Sequence, residues 1–462
     1  MPEFDLIVLG GGTGNLVASA AAEDGLDVAL VERDRLGGTC LNRGCNPSKQ
    51  LIHRANVAET VRTAGSVGVE ATLESIDFER IVDDVREEID ADAEAKAAAA
   101  REHDRVTFYQ GEGRFVDERT VVVGDEDGET ERLTAETVVL AGGSRPVVPD
   151  AIAGTEETAF LTSDEALWLS ERPDRLVIVG GGYVAVELAH FFGEMGADVT
   201  IVGHGAVLLD REDADVAERL TEAYRERHDL RLGYTVTEIA GDGTDKRVTA
   251  EDADGAEIEV TGDRILLATG RRPNTESWNV SAAGIETDEE GFVETDEYLR
   301  TSAEGVYAIG DIAGNYMFKH SGDKEAEYAV ENAVRGRGEP VEYPGMAHAV
   351  FGSPEVAGLG ATEDDLDGDY EIGRCRYDET ALGSALDDHG GFAKALVAPD
   401  GAVLGCHVVG PEASTMIHEV STAVAAGADA STIAETIHVH PAISEVVQGA
   451  FRDVRDVAPT GF

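Results

Sequence analysis

The sequence predicts an α/β fold of several domains, and three observations carry this prediction. A strand, a glycine-rich turn, a helix and a second strand occur in this order at residues 4–32 and again at residues 175–202. From about residue 341 the pattern changes to mixed strands and helices, with strands at 392–398 and 403–409. The 462 residues are long enough for about three domains. We therefore expect two Rossmann-like domains and a C-terminal α+β domain.

Changes of pattern along the chain predict where these domains begin and end. The stretch before residue 341 contains a third strand–Gly-Asp element, Val306–Asp311, and we expect this stretch to fold back onto the first domain. Short strands with acidic turns such as Gly124–Gly128, a long helix at 81–103 and C-terminal helices at 411–427 and 441–452 are also predicted. The predicted domains are 1–150, 151–270, 271–340 and 341–462.

The chain is strongly acidic, with 92 Asp+Glu against 37 Lys+Arg and a formal net charge of −55. A polyanion of this kind repels nucleic-acid phosphates and anionic membrane surfaces, so neither is an expected partner. Self-repulsion also opposes folding in dilute buffer, whereas in molar salt the Debye length falls to about 3 Å. The charge therefore favours a protein of a salt-rich cytoplasm, and an unusually acidic mesophilic protein is the alternative.

The sequence contains no recognisable targeting segment or metal-binding cluster. Residues 1–10 lack the basic region of a signal peptide, and no apolar run approaches the length of about 18 residues that a membrane span needs. No Cys/His group has zinc-like spacing. We expect a cytoplasmic protein without a bound metal.

The first glycine-rich turn has the pattern of a dinucleotide-binding βαβ unit. Gly10, Gly12 and Gly14 lie between a strand and an Ala-rich helix, and Glu32 ends the next strand, 22 residues after Gly10. Glycines let the backbone approach a pyrophosphate at a helix N-terminus, and an acid at this place binds a ribose hydroxyl. Asn15 stands where a third glycine is usual, with the small Gly14 beside it.

The same unit returns with a different ending. Gly180 and Gly182 follow a strand and precede a helix, but the next strand ends in Gly203-His204 without a carboxylate. The chain is therefore predicted to bind two dinucleotides, and only the first site has a carboxylate placed to bind the ribose hydroxyls. Two such sites on one chain suggest electron transfer between the bound dinucleotides.

Two of the four cysteines form a close pair five residues apart, just after the first nucleotide strand. In a regular helix the Cα atoms of Cys40 and Cys45 would be about 8.7 Å apart, whereas a disulfide needs less than about 7 Å. A bridge therefore requires distorted backbone, which Gly44 makes easier. In a cytosolic chain such a pair is expected to be redox-active or metal-binding. The alternative is that both are buried free cysteines with a purely structural role. Cys375 and Cys406 stand alone and are interpreted as structural.

With these motifs in order, the sequence resembles the pyridine nucleotide–disulfide oxidoreductases with a C-x4-C redox pair, such as lipoamide dehydrogenase, glutathione reductase, mycothione reductase and mercuric reductase. The resemblance covers essentially the whole chain. The motifs are the first glycine turn with Glu32, Gly-Gly-Thr-Cys-x4-Cys-x-Pro-Ser-Lys at 37–49, the second glycine turn with Glu187, Ala268–Asn274, Tyr307–Asp311 and His440-Pro441-x-x-Ser444-Glu445.

The resemblance implies bound FAD at the first site and NAD(P)H at the second. Asp311 would hold the ribityl–phosphate arm of the flavin, and Lys49 paired with Glu187 would stabilise the reduced, anionic ring. The residues implied at the FAD site are Gly10, Gly12, Gly14, Glu32, Gly38, Thr39, Lys49, Gly143 and Asp311. Those implied at the nicotinamide nucleotide site are Gly180, Gly182, Glu187, His204 and Gly270.

The resemblance also implies a disulfide between Cys40 and Cys45 and a homodimer. Cys45 would contact the flavin, and Cys40 would attack the substrate disulfide. His440 from the other subunit would be the acid/base, with Glu445 orienting it. Thiol–disulfide exchange needs a proton for the leaving sulfur, which a carboxylate-paired histidine supplies near neutral pH. His438 makes a metal pair conceivable, but no metal is expected.

Several positions depart from this pattern. Arg43 and Asn46 replace the small apolar residues common in the cysteine loop. Gly203 and His204, with Arg211 further on, leave room for a 2′-phosphate where lipoamide dehydrogenases usually have an acid. We therefore expect NADPH, with a site of relaxed preference as the alternative.

The expected activity is NADPH-dependent reduction of a small-molecule disulfide. Because halophiles use γ-glutamylcysteine as a small thiol, bis-γ-glutamylcystine is the predicted substrate and dihydrolipoamide dehydrogenase the alternative function. Mercuric reductase is less favoured, since the sequence ends Ala458–Phe462 without a vicinal cysteine pair and shows no N-terminal metal-binding module. A flavin-binding protein without turnover is disfavoured because the cysteines, Lys49 and His440 are all present.

Overall fold

The computed structural model describes residues 2–124, 130–386 and 390–457. Residues 125–128 of the predicted acidic turn and the C-terminal residues 458–462 lie outside this part of the chain.

The helices and strands follow one another in three groups along the chain. The first group is β1 Glu3–Leu9, α1 Gly14–Glu23, β2 Val28–Glu32, α2 Gly38–Arg43, α3 Cys45–Thr63, α4 Phe78–Glu102, β3 Val106–Gln110, β4 Glu112–Phe115, β5 Thr120–Gly124, β6 Thr130–Leu140, β7 Ser144–Pro146 and α5 Ser163–Ala166. The second group is β8 Arg175–Val179, α6 Tyr183–Glu194, β9 Asp198–Gly203, α7 Ala214–Arg227, β10 Asp229–Leu232, β11 Thr235–Asp242, β12 Asp245–Glu251, β13 Glu257–Gly262 and β14 Arg264–Leu267. The third group is β15 Arg271–Pro273, β16 Val306–Ala308, α8 Lys319–Ala329, β17 Ala347–Val350, β18 Val356–Gly360, β19 Glu371–Arg376, α9 Ala381–Ala385, β20 Phe392–Val397, β21 Val403–Val409, α10 Ala413–Ala425, α11 Ala430–Glu435 and α12 Glu445–Asp453.

The first domain is built on a parallel sheet in the order β3-β2-β1-β6, with β16 on the far side of β6. Residues 6–9 of β1 are all buried, as expected for a parallel strand covered on both faces. The long strand β6 also pairs with β5 through its first half and so joins the antiparallel strands β4 and β5 to the sheet. Because β16 pairs with β6, the segment after residue 271 returns to the first domain.

The second domain repeats this plan in a smaller form. Its parallel sheet has the order β10-β9-β8-β14, and β11-β12-β13 form an antiparallel sheet beside it. The short strands β7 and β15 pair where the chain enters and leaves this domain. In both domains the glycine-rich turn follows the central strand and leads into a helix, so the two turns lie at the carboxyl ends of parallel strands.

The C-terminal domain is an antiparallel sheet in the order β17-β18-β21-β20-β19. Buried residues of α10, α11 and α12 form one hydrophobic core with this sheet, including Met416, Ile433 and Phe451. The predicted fold class is therefore confirmed: two dinucleotide-binding-type α/β domains followed by an α+β domain.

Some predicted helix boundaries shift. The long acidic helix begins earlier, at Phe78, because the side chain of Asp77 accepts a hydrogen bond from the backbone N–H of Arg80. The predicted helix at 441–452 begins only at Glu445, since residues 440–444 form a turn around the Glu445 carboxylate. Within the described ranges, no helix is both long enough and apolar enough to cross a membrane.

Candidate active site

The two cysteines lie where one helix ends and the next begins. Cys40 is in α2, Gly44 interrupts the helical path, and Cys45 is the first residue of α3. The interruption brings the two Cα atoms to 4.9 Å, and the cysteines are joined by a disulfide. A Cβ atom at Gly44 would lie only 2.8 Å from the carbonyl oxygen of Thr39, so a larger residue would push the two helices apart. The five-residue spacing of the cysteines predicted a distorted backbone between them, and the structure has this distortion at Gly44, where a glycine permits it.

A cavity of about 330 Å³ contains both cysteines. It extends from the first glycine turn past the cysteine loop to α6 of the second domain. Among the described residues, the cationic side chains that line it are Arg33, Arg43, Lys49, Arg271 and Lys319, and the carboxylates are Glu32, Glu187 and Asp311. Five cations against three carboxylates is a reversal of the charge balance of a chain with net charge −55. The cavity therefore suits an anionic ligand such as a diphosphate.

The backbone around the first turn is closely packed and leaves no room for side chains. A Cβ at Gly10, whose φ is +101°, would lie 2.2 Å from the carbonyl oxygen of Ala141. A Cβ at Gly38 would lie 2.6 Å from the Cα of Gly12. A Cβ at Gly14 would press against Val8 and Ala141, so Gly14 gives the close helix–strand packing expected of the third glycine. The turn thus presents bare backbone at the N-terminus of α1, which fits a diphosphate.

The carboxylate of Glu32 stabilises this turn through hydrogen bonds to the backbone. Its Oε2 accepts a hydrogen bond from the N–H of Gly11 at 2.7 Å, and its Oε1 accepts one from the N–H of Asp34 at 2.8 Å. Burial raises the pKa of this carboxyl group above its usual value. Each oxygen keeps a second lone pair, so the carboxylate can still accept a ligand hydroxyl.

A hydrogen-bonded group joins three distant parts of the chain at the wall of the cavity. The hydroxyl of Ser144 donates to Asp311 Oδ2 at 2.5 Å, and Arg271 Nε donates to the Ser144 oxygen at 2.8 Å. Burial lowers the pKa of Arg271. Gly143, with a φ of +63°, and Thr39 also line the cavity or its edge. Ser144 was missed by sequence reasoning, because nothing local marks its contact with a residue 167 positions away.

Lys49 and Glu187 form an ion pair that links the first two domains. Lys49 Nζ lies 2.8 and 2.7 Å from the two carboxylate oxygens of Glu187, which is buried on α6. The N–H of Phe351 donates to Glu187 at 3.1 Å, and the Phe351 ring centre is 4.8 Å from Lys49 Nζ. The ammonium group is therefore held in one place at the boundary between the first and second domains, where both residues line the cavity.

The second glycine turn is as closely packed as the first at Gly180, whereas a Cβ at Gly182 or Gly270 would have no atom within 4 Å. A Cβ at Gly180, whose φ is +122°, would lie 2.2 Å from the carbonyl oxygen of Ala268. Gly182 directly precedes the N-terminus of α6, and Gly270 has a φ of +111°. His204 is exposed directly after β9. These positions suit a second dinucleotide, and the strand end carries no acid.

The structure adds an aromatic group that the sequence did not indicate. Tyr183, in the second glycine turn, lines the cavity, and its hydroxyl donates to Glu212 Oε1 at 2.6 Å. His348 Nε2 lies 2.9 Å from the same carboxylate, and the rings of Tyr183, His348 and Phe318 stack. Burial and the nearby Glu212 charge raise the pKa of Tyr183. These residues come from separate domains, so no local motif could join them.

His440 and Glu445 form a pair outside the cavity. The Nδ1 atom of His440 lies 3.1 Å from Glu445 Oε1, and the buried carboxylate also accepts the N–H of Ala442 at 3.0 Å. The His440 side chain is 52% exposed, and its neighbours Ile437 and Val439 are 97% and 78% exposed. Within the described part of one chain, His440 is not among the residues that line the cavity with Cys40.

His438 has a different environment from His440. Its Nε2 lies 3.2 Å from the carboxylate of Glu419 on α10, and this hydrogen bond raises the pKa of His438. No group of three or more potential metal ligands occurs among the described residues.

Comparisons with known proteins identify the family. Residues 4–334 match the model for the pyridine nucleotide-disulphide oxidoreductases, and residues 346–451 match the model for their dimerisation domain. Dihydrolipoyl dehydrogenase 3 of Haloarcula marismortui is 35% identical, over 98% of this chain and 97% of that protein. Mycothione reductase of Mycobacterium tuberculosis is 32% identical, over 98% of this chain and 100% of that protein. A Cu(II) complex of the HOCl-induced flavoprotein disulfide reductase RclA from Escherichia coli has a TM-score of 0.87 and 26% identity, over 98% and 99% of the two chains.

These matches agree with the geometry of the site. The cysteine pair, the two glycine turns and the cationic cavity lie within the range matched by the first model. The cavity fits FAD, because its bare backbone and excess of cations are what a dinucleotide diphosphate requires. The chain therefore belongs to the pyridine nucleotide-disulphide oxidoreductases and is an FAD-dependent flavoprotein disulfide reductase of the dihydrolipoamide dehydrogenase and mycothione reductase group.

Proposed function

We propose that the protein is a cytoplasmic, homodimeric NADPH-dependent reductase of a small-molecule disulfide, with bis-γ-glutamylcystine as the substrate. The observation that carries the proposal is the Cys40–Cys45 disulfide in one cavity with the Lys49–Glu187 pair and the first glycine turn. A disulfide in the same cavity as the proposed FAD site can accept electrons there and pass them to a substrate disulfide.

The residues of this chain have separable roles in the proposed reaction. Bound FAD supplies the transfer of two electrons from the nicotinamide to the Cys40–Cys45 disulfide, which opens to two thiols. The Cys40 thiolate then attacks one substrate sulfur, the substrate S–S bond breaks, and the first product thiol leaves with a proton from His440 of the partner subunit. Cys45 then loses its proton and attacks Cys40 Sγ as the thiolate, the mixed disulfide breaks, and the second product takes up that proton and leaves as a thiol, which restores the Cys40–Cys45 disulfide. Lys49, fixed by Glu187, supplies a positive charge at the flavin end.

The preference for NADPH rests on the end of β9. A carboxylate there would bond the 2′-hydroxyl of NADH and repel the 2′-phosphate of NADPH. This chain has Gly203 and the exposed His204 instead. Arg211 is also exposed further along the same loop.

The proposed substrate is inferred from the acidic net charge of the chain and from the small thiol that halophiles use. It is not inferred from residues of a substrate pocket. A net charge of −55 favours a salt-rich cytoplasm, and halophiles use γ-glutamylcysteine as a small thiol. Dihydrolipoamide dehydrogenase is the second candidate, because several similar proteins carry that name, including those of Halobacterium salinarum and Haloferax volcanii.

The decisive test is a substrate panel in multimolar KCl with NADPH and NADH. The panel contains bis-γ-glutamylcystine, oxidised glutathione, lipoamide and mercuric ion. We expect the largest kcat/KM for bis-γ-glutamylcystine with NADPH. Preferred turnover of lipoamide with NADH would assign the second candidate function instead.

Replacement of Cys45 tests which thiol lies beside the flavin. In the two-electron-reduced enzyme we expect a long-wavelength charge-transfer absorbance band, because the Cys45 thiolate donates to the oxidised ring. Cys45→Ser should show no such band in any state, whereas the matched variant Cys40→Ser, which has no disulfide to reduce, should show it before reduction, when the Cys45 thiolate lies beside oxidised flavin. The opposite pattern would exchange the roles of the two thiols.

A further inference from the structure

The side chain of Asn46 contacts the sulfur that is proposed to attack the substrate. Asn46 is the second residue of α3, and its Oδ1 lies 3.5 Å from Cys40 Sγ. The side chain is exposed in the single chain. Small apolar residues are common at this position in the proteins that the sequence resembles, so this amide is a feature of the present chain.

The chemistry of the contact changes when the disulfide opens. In the disulfide, Cys40 Sγ carries no proton and has no charge to stabilise. After reduction it is a thiol or a thiolate, and a primary amide offers either a carbonyl oxygen to the S–H group or an N–H group to the thiolate. Charge-assisted hydrogen bonds are about twice as strong as neutral ones. The contact therefore favours the thiolate, with the amide turned so that its NH₂ group faces the sulfur.

A hydrogen-bond donor in contact with Cys40 acts differently from the charges around it. The cationic side chains of the cavity favour an anion at Cys40, whereas the net charge of −55 of the whole chain opposes one. Molar salt screens both effects over distances beyond about 3 Å, but it does not replace a directed hydrogen bond to the sulfur. Cys45, as the first residue of the 19-residue helix α3, receives the positive end of the helix dipole. Cys40 precedes that helix, and the Asn46 amide is the hydrogen-bonding side chain that contacts its sulfur in the structure.

We propose that Asn46 donates a hydrogen bond to the Cys40 thiolate and keeps this thiol ionised, and hence ready to attack a disulfide, near neutral pH. The proposal rests on the proposed function in one respect, namely that Cys40 is the attacking thiol. Asn46 acts through Cys40 and is a positioning residue in this sense. Its effect belongs to the reduced enzyme, since only that form contains the thiolate.

The test measures the pKa of Cys40 directly, without flavin or nucleotide chemistry. In a Cys45→Ser background Cys40 is the accessible thiol, because the two other cysteines, Cys375 and Cys406, are buried. The rate of alkylation by iodoacetamide is followed against pH with detection of labelled Cys40 by mass spectrometry. Asn46→Val should raise the pKa by about one unit, which lowers the thiolate fraction at pH 7 by about fivefold for a parent pKa near 7. Asn46→Asp, which has the same shape but a negative charge, should raise it further.

Gln50→Val is the matched control. Gln50 lies one turn further along α3, so this variant removes an amide from the same helix, and the pKa of Cys40 should remain that of the parent. A general loss of helix stability would also change the pKa of Cys40 in Gln50→Val. It would not make the pKa of Cys40 higher in Asn46→Asp than in Asn46→Val. An unchanged pKa in Asn46→Val, or a pKa lower in Asn46→Asp than in Asn46→Val, would overturn the proposal. Because alkylation requires no turnover, the expected order of pKa values together with inactivity across the substrate panel would reject the proposed function alone.

Discussion

His440→Ala should slow disulfide turnover by about 10²–10⁴-fold, the usual contribution of a positioned acid/base, while flavin reduction by NADPH stays nearly unchanged. The imidazole contacts the buried Glu445 carboxylate, and His440 is not among the described residues that line the cavity containing Cys40. We therefore expect its role to be confined to proton transfer to the leaving sulfur. Stopped-flow reduction by NADPH and steady-state turnover measure the two half-reactions separately.

A partner subunit must supply this histidine if the proposal is correct. The exposed side chains of Ile437 and Val439 beside His440 are apolar and suit burial at an interface. Mixing inactive Cys40→Ser and His440→Ala subunits should restore roughly a quarter of the parental activity at full exchange, since half of the dimers are mixed and each has one intact site. A mixture that stays inactive after proven subunit exchange would place the acid/base within one chain.

Glu445→Gln provides a graded control for the same site. It should reduce turnover less than His440→Ala, because an amide can still accept the imidazole hydrogen bond but does not stabilise the imidazolium charge. An effect larger than that of His440→Ala would show that Glu445 carries the proton itself.

The second large expected effect concerns stability. Lys394→Met should lower the free energy of unfolding by about 3–5 kcal/mol, the usual cost of leaving one partner of a buried ion pair behind. Lys394 on β20 is 1% exposed, and its Nζ lies 3.0 Å from both carboxylate oxygens of Asp213, which is 0% exposed. It also lies 2.8 Å from Asp215 and 2.5 Å from Glu363. Although burial opposes the charge, these hydrogen bonds keep the pKa of Lys394 above its usual value.

Lys324→Met is the control for this variant. Lys324 forms an exposed pair with Glu327 at 2.8 Å, and its loss should change stability by less than about 1 kcal/mol. Denaturant unfolding of both variants in molar salt measures the difference. A similar small loss for Lys394→Met would mean that the Asp213 carboxylate is adequately stabilised by its remaining backbone donors, the N–H groups of Asp215 and Glu363.

Much of this protein is determined by the sequence alone. The two glycine turns, the cysteine pair and the change of pattern after residue 341 predicted the fold class and the enzyme class, and both are confirmed. Each of these signals is local. A tight turn with a positive φ or a close backbone contact requires glycine at one position, and this requirement does not depend on distant parts of the chain. The need for distorted backbone between Cys40 and Cys45 also followed from helix geometry, and the structure places the distortion at Gly44.

Only the tertiary structure decided which side chains meet. Ser144 and Asp311 are 167 positions apart, and Tyr183 and His348 come from different domains, so no spacing rule could pair them. The comparison with the resembling family marked Asn46 as unusual, but its contact with Cys40 depends on the backbone path from α2 through Gly44 into α3. The physical reason is that local backbone preferences act over a few residues, whereas a side-chain contact across domains depends on the packing of whole sheets and helices.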